Sequence, residues 1–214
     1  MPLALFDLDN TLVDRRRAFP AAVADFCRTL GYGAEIEAWM HAELAARAAP
    51  DDLARMRRTF DLSEPAASLW TAYVDRMAAA ITCRPAVREA LAGLRASGWT
   101  LGVVTNGASD IQRAKLRAAG LAELVDGVAV SGDIDARKPD AKLFRLAADR
   151  CRADLVGATM TGDDPIGDIG GGHAAGLRTI WLRGRPWPAE ITAPHHTVDD
   201  VLDAVAILLD TRQE

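Results

Sequence analysis

Five short apolar runs, each closed by a small polar cluster and separated by helical stretches, limit what this chain can fold into. Leu3–Phe6 runs into Asp7-Leu8-Asp9-Asn10-Thr11, and Trp99–Val104 into Thr105-Asn106-Gly107. Val128–Val130 precedes Ser131-Gly132-Asp133, Ala158–Thr161 precedes Gly162-Asp163-Asp164-Pro165, and Thr179–Leu182 precedes Arg183-Gly184. Uncharged runs of this length, bounded by turn residues, read as buried strands. Between them, Pro85–Ser97 sets Val87, Leu91 and Leu94 at helical spacing before a Gly98 suited to a C-cap. Ile111–Ala119 stops at Gly120, and Lys142–Arg150 places Leu143, Leu146 and Ala147 on one face. Strands alternating with helices predict an α/β fold, a Rossmann-like parallel sheet with helices on both faces. Ligands of such sheets sit beyond the carboxyl ends of the strands, where the polar clusters fall.

Residues 14–82 interrupt the alternation. This alanine-rich stretch reads as amphipathic helices over Ala18–Leu30, Glu35–Ala48, Asp51–Thr59 and Ser63–Ile81, with Ser63 as an N-cap. It carries no strand pattern, so it is expected to be an all-helical insertion between the first two strands. A chain of 214 residues accommodates one domain with such an insertion, or two small domains.

Composition narrows the partners. With 25 basic and 30 acidic side chains the net charge is −5, which argues against nucleic-acid or anionic-membrane binding by bulk charge. Cys27, Cys83 and Cys151 are widely spaced and form no metal or disulfide pattern, as expected of buried thiols in a reducing compartment. The start, Met1-Pro2-Leu3-Ala4-Leu5-Phe6-Asp7, lacks the basic and apolar regions of a signal peptide, and no apolar run is long enough to span a bilayer. A cytoplasmic protein is expected; the oligomeric state is not legible.

Asp7 and Asp9 flank a single residue on an extended segment, so their side chains are expected to point the same way. Paired carboxylates at a strand end repel unless a cation joins them. They fit a nucleophile and an acid/base with Mg²⁺ between, or a solvated turn, for which Asp-Asn-Thr is good chemistry.

Phe6-Asp7-Leu8-Asp9-Asn10-Thr11-Leu12-Val13 resembles the first motif, DxDx[TV], of the haloacid dehalogenase-like hydrolase superfamily. Val103-Val104-Thr105-Asn106-Gly107 is similar to its second motif, and Arg137-Lys138-Pro139-Asp140 to its third. Gly162-Asp163-Asp164-Pro165-Ile166-Gly167-Asp168 matches its fourth. Each motif alone is weak; four in order, spread from Leu3 to about Leu182, are specific. The resemblance makes the helical insertion a cap domain at 14–82, with the catalytic core at 1–13 and 83–214.

The resemblance implies that Asp7 is a nucleophile forming an aspartyl-phosphate, and that Asp9 is the acid/base, lending its backbone carbonyl to Mg²⁺. Thr105 and Asn106 would bind the phosphoryl oxygens and Lys138 would neutralise them. Asp163 would complete the Mg²⁺ site, Asp168 would orient Lys138 or a metal-bound water, and Asp164 would cap the next turn or add a ligand. With only three lysines, Lys115, Lys138 and Lys142, a lysine at the third motif is itself informative.

The implied activity is a Mg²⁺-dependent phosphatase for a small phosphorylated metabolite. A phosphomutase of the β-phosphoglucomutase type uses the same acid pair and is the enzymatic alternative; a catalytically silent binding protein of the same fold is the other. Carbon–halogen and phosphonate hydrolases of the superfamily lack the acid at the Asp9 position. The phosphonate enzymes also use a cap lysine, absent between Asp14 and Thr82. The glycine run Gly170-Gly171-Gly172 is expected to open a helix, not a dinucleotide site, with His173 solvated on it. His195-His196 reads as a surface loop, Arg15-Arg16-Arg17 as a solvated helix face or, directly after the catalytic strand, a face toward an anionic substrate, and Trp39, Trp70 and Tyr73 as cap core or, for one of them, a wall of the substrate cavity.

Overall fold

The strand that leads into Asp7 is apolar and buried at every position, the mark of a strand covered on both faces. The computed structural model describes residues 1–211. Its sheet comprises β1 (Leu3–Phe6), β2 (Thr100–Thr105), β3 (Gly127–Val130), β4 (Thr159–Gly162), β5 (Arg178–Leu182) and β6 (His196–Val198). All adjacent pairs are parallel, in the order β3-β2-β1-β4-β5-β6. The five expected strands lie within one residue of the apolar runs. β6 is an addition: His196 belongs to an edge strand, not to a surface loop.

The insertion between β1 and β2 is helical throughout, with α1 (Arg15–Leu30), α2 (Ala34–Leu44), α3 (Pro50–Thr59) and α4 (Ala66–Ala80). Phe26, Met40, Leu53, Met56, Tyr73 and Met77 form its own buried cluster. α1 starts three residues earlier than expected because the Asp14 side chain caps it, accepting from the Arg17 amide at 2.9 Å. α2 stops at Leu44, which frees a loop before Pro50 starts α3. α4 does not begin at Ser63: the residue before Pro65 disfavours helical dihedrals, so the helix opens after the proline.

α5 (Pro85–Ala96), α6 (Ser109–Ala118), α7 (Ala141–Cys151), α8 (Gly171–Ala174) and α9 (Val201–Asp210) belong to the sheet. Alternation along β1 divides them: Ala4 and Phe6 pack with α5, α9 and Leu116 of α6, whereas Leu3 and Leu5 pack with α7. Helices therefore cover both faces, as expected. α9 was not anticipated, although Val201, Ala204, Val205 and Leu208 follow helical spacing behind an Asp200 cap. Ile111 of α6 joins the cluster of the insertion, and Trp70 donates to Asp110 at 2.5 Å, so α6 touches both units. The three cysteines are free and buried. No described helix is long and apolar enough to cross a membrane.

Candidate active site

β1 runs on through the insertion to β2 on one side of it, while β4 lies on the other. This reversal of strand order leaves a crevice at the carboxyl ends, where open α/β sheets bind ligands. A cavity of about 1030 Å³ opens there. Asp7, Asp9, Thr105, Asn106, Lys138, Asp163, Asp164 and Asp168 all line it, together with Ala45–Ala49 from the loop between α2 and α3.

β1 ends at Phe6, so Asp7 and Asp9 stand in the turn beyond the strand, not on its pleat. The Asp7 amide still donates to Thr161 of β4 at 2.9 Å, fixing its carboxylate between the two central strands. Lys138 Nζ donates to Asp7 Oδ1 at 2.6 Å and to the Val104 carbonyl at 2.7 Å, and lies 2.6 Å from Asp168 Oδ1. All three side chains are buried. Burial pushes the Asp7 and Asp168 carboxyls up in spite of Lys138, with Asp168 adding to the rise at Asp7 and Asp164 to that at Asp168; Asp168 and Asp7 in turn raise Lys138 against the opposing effect of burial.

Asn106 holds Lys138 by the backbone: its amide donates to the Lys138 carbonyl at 3.1 Å and accepts from the Lys138 N–H at 2.9 Å. Asp168 Oδ2 accepts from the Asp164 amide at 3.0 Å, and a Cβ on Gly162 would collide with this carboxylate. Glycine at the end of β4 is what lets Asp168 approach. The Asp164 side chain accepts from the Ile166 and Gly167 amides, capping a π-helical turn over Pro165–Gly170, and lies 3.3 Å from Arg185.

Oxygens of Asp7, Asp163 and Asp168 lie within 4.8 Å of one another. Burial, then the nearby Asp7, raises the Asp163 carboxyl in spite of Arg185 and Arg16. Three buried carboxylates crowded together fit a hard divalent cation, whose charge would reverse that shift.

The cavity also contains cations that the motifs do not reveal. Lys115 of α6 donates to both Asp9 oxygens, at 2.9 and 2.8 Å, and Gln112 one turn earlier donates to Asp9 Oδ2 at 3.2 Å. Burial alone would raise the Asp9 carboxyl, but Lys115, Arg15 and Gln112 together hold it below the ordinary carboxylate range. Arg15 is buried, not solvated: it donates to the Leu44 carbonyl at 2.9 Å and to that of Ala45, and its Nε lies 4.0 Å from Asp9. Arg16 and Arg185 meet Asp163 at 3.0 and 3.2 Å. Arg16 and Arg17 keep the expected exposure, although Arg16 also lines the cavity. Trp39, Trp70 and Tyr73 pack with the helical insertion and none lines the cavity among the described residues. His173 and His195 are not isolated surface residues: their rings lie 5.2 Å apart and both meet the Thr179 hydroxyl.

The family model described as haloacid dehalogenase-like hydrolase matches residues 4–182. A phosphoserine phosphatase of Thermus thermophilus is 40% identical over 98 residues, covering 46% of this chain and 39% of that protein. The chain thus spans well under half the length of that relative. A ribulose-1,5-bisphosphate 5-phosphatase of Halopiger xanaduensis is 30% identical over 200 residues, covering 82% of each chain. Among solved structures, an HAD phosphatase from Thermococcus onnurineus superposes with a TM-score of 0.71 at 25% identity, over 97% of this chain and 98% of that one.

Proposed function

The chain belongs to the haloacid dehalogenase-like hydrolase family, and on that premise we propose that it is a Mg²⁺-dependent phosphatase acting on a small phosphomonoester. The observation that carries this reading is the buried Asp7–Lys138–Asp168 array beside Asp163 at the strand-order reversal. A carboxylate held by a lysine, next to a cluster fit for a divalent cation, is a nucleophile prepared for an electron-poor phosphorus.

Asp7, Asp163 and the Asp9 backbone carbonyl would hold Mg²⁺, which when bound neutralises phosphoryl oxygens. The Asp7 carboxylate attacks phosphorus, the bond to the substrate oxygen breaks, and Asp9 gives that oxygen a proton. Water then attacks the aspartyl-phosphate, Asp9 takes its proton, and inorganic phosphate leaves with Asp7 restored. Thr105 and Asn106 bind phosphoryl oxygens, Lys138 balances their charge, Asp168 orients Lys138, and Asp164 caps the turn beside them. Residues 14–82 act as a cap over a core of 1–13 and 83–214; the loop at Ala45–Ala49 in the cavity wall supports that division.

Phosphate release from p-nitrophenyl phosphate and a panel of phosphorylated metabolites, with and without Mg²⁺, tests the reading. Release that requires Mg²⁺ and disappears in a folded Asp7→Asn variant is expected. Residual turnover above background in that variant overturns the nucleophile assignment.

A further inference from the structure

Lys115 has no place in the four motifs, yet it is as deeply enclosed as Lys138, with 3% of its side chain exposed. Burying an ammonium is costly unless it is paired and hydrogen-bonded. Its hydrogen bonds all go to one group, the two oxygens of Asp9. Three residues earlier on α6, on the same helix face, Gln112 is 1% exposed. Its amide donates to Asp9 Oδ2, to Thr105 Oγ1 at 2.9 Å and to the Asn106 carbonyl at 2.9 Å. Gly107 closes over it: a Cβ there would stand 2.9 Å from the Gln112 amide nitrogen. One helix face therefore fixes the direction of the Asp9 carboxylate and, through the same amide, its distance from the Thr105–Asn106 corner.

We propose that Lys115 and Gln112 are positioning residues that hold the Asp9 carboxylate in register with the phosphoryl corner, so that it can serve both proton transfers. This rests on the phosphatase reading above. Proton transfer by a placed carboxyl contributes about 10²–10⁴-fold, and a displacement near 1 Å can cost about 10²-fold. A lysine that served only to fill the core would not discriminate between steps that need Asp9 and a step that does not.

p-Nitrophenolate departs without a proton, so phosphorylation of Asp7 by p-nitrophenyl phosphate bypasses Asp9, whereas hydrolysis of the aspartyl-phosphate does not. In rapid mixing with Mg²⁺, Lys115→Met is expected to show a p-nitrophenolate burst equal to the enzyme concentration, then a steady state slowed about 10²-fold. Acid-quenched protein should carry the phosphate adduct by mass spectrometry. With an alkyl phosphate, kcat should fall about 10²-fold with no burst and KM within about twofold of wild type. Gln112→Leu, which keeps the ion pair, should give the same pattern at about a tenth of the effect; circular dichroism and thermal melting report the fold of both variants.

Undiminished turnover of both substrates in a folded Lys115→Met variant, or in Gln112→Leu if the former does not fold, overturns the inference. So does loss of the burst together with the steady state, which marks a purely structural role. If the wild type with Mg²⁺ releases no phosphate from any substrate, the phosphatase reading fails and takes this inference with it. Wild-type turnover with unaltered variants removes the inference alone.

Discussion

Asp9 and Asp163 face the same cavity and are neutralised in opposite ways. Asp9 is held by a lysine rooted in α6 and almost wholly enclosed, and its carboxyl is driven below the ordinary range. Asp163 is met by Arg16 and Arg185, whose side chains are 53% and 43% exposed, and its carboxyl stays above that range. An enclosed ammonium has no water to return to, so Lys115 keeps its place beside Asp9. A half-exposed guanidinium is solvated on leaving, and such contacts are worth about 0–1 kcal/mol. The difference separates an acid whose partner belongs to the fold from an acid whose protein partners can yield to a cation from solution.

The strongest test of an enclosed ammonium is Lys138→Ala, at the counterpart of Lys115, which leaves Asp7 and Asp168 buried without their shared cation. Urea unfolding should show a loss of about 3–5 kcal/mol, the cost of orphaning a buried charge. A loss under about 1 kcal/mol would mean that the array is not enclosed as described.

The displaceable side is sharpened by Arg16→Gln combined with Arg185→Gln. Stability should change by less than about 1 kcal/mol. The Mg²⁺ concentration for half-maximal phosphate release should fall, because two competitors for Asp163 have gone. An unchanged or higher Mg²⁺ requirement would show that the arginines support the site and do not compete for it.

The smallest effect belongs to Asp133, an acid held by partners other than those of Asp9 and Asp163. Burial opposes its charge, but Arg150, Ser109, the Val130 amide and Arg113 outweigh it and lower its carboxyl. A lowered folded value stabilises above the unfolded carboxylate pKa, near 3.9, and that contribution disappears as pH falls through the folded value. The melting temperature of Asp133→Asn should therefore lie below wild type at pH 7 and converge with it in strong acid. A gap that persists or widens in acid would assign the loss to packing.

The architecture was legible wherever a local signal matched the final structure. The apolar runs located five strands because those strands are buried on both faces, and the helical spacing of Val87, Leu91 and Leu94 located α5. β6 escaped because the edge strand has only three residues and buries Val198 alone, whereas α9 carries a legible signal in Val201, Ala204, Val205 and Leu208 behind Asp200. The motif residues could be collected from the sequence, since chemistry fixes their types and order. Lys115, Gln112, Arg15, Arg16 and Arg185 could not. Their roles arise from which helix face meets the cavity, and a run such as Arg15-Arg16-Arg17 reads as solvated until Asp9 and the Leu44 carbonyl are found beside its first member. The scarcity of lysine was the one local hint for Lys115.

The placement of the helical insertion also sets the order in which the protein can come into being. β1 has no strand partner until β2 has been synthesised, and Lys138 reaches Asp7 across 131 residues of chain. Domains emerging during synthesis fold as units, and distant pairings wait for the chain that supplies them. All the buried members of the insertion's own apolar cluster except Ile111 have been synthesised while β1 is still four apolar residues without a strand partner, and Asp7 meets Lys138 only when the second half of the protein arrives. A nascent chain therefore carries an uncovered apolar strand until its partners arrive, and Asp7 stays without Lys138 for the same interval.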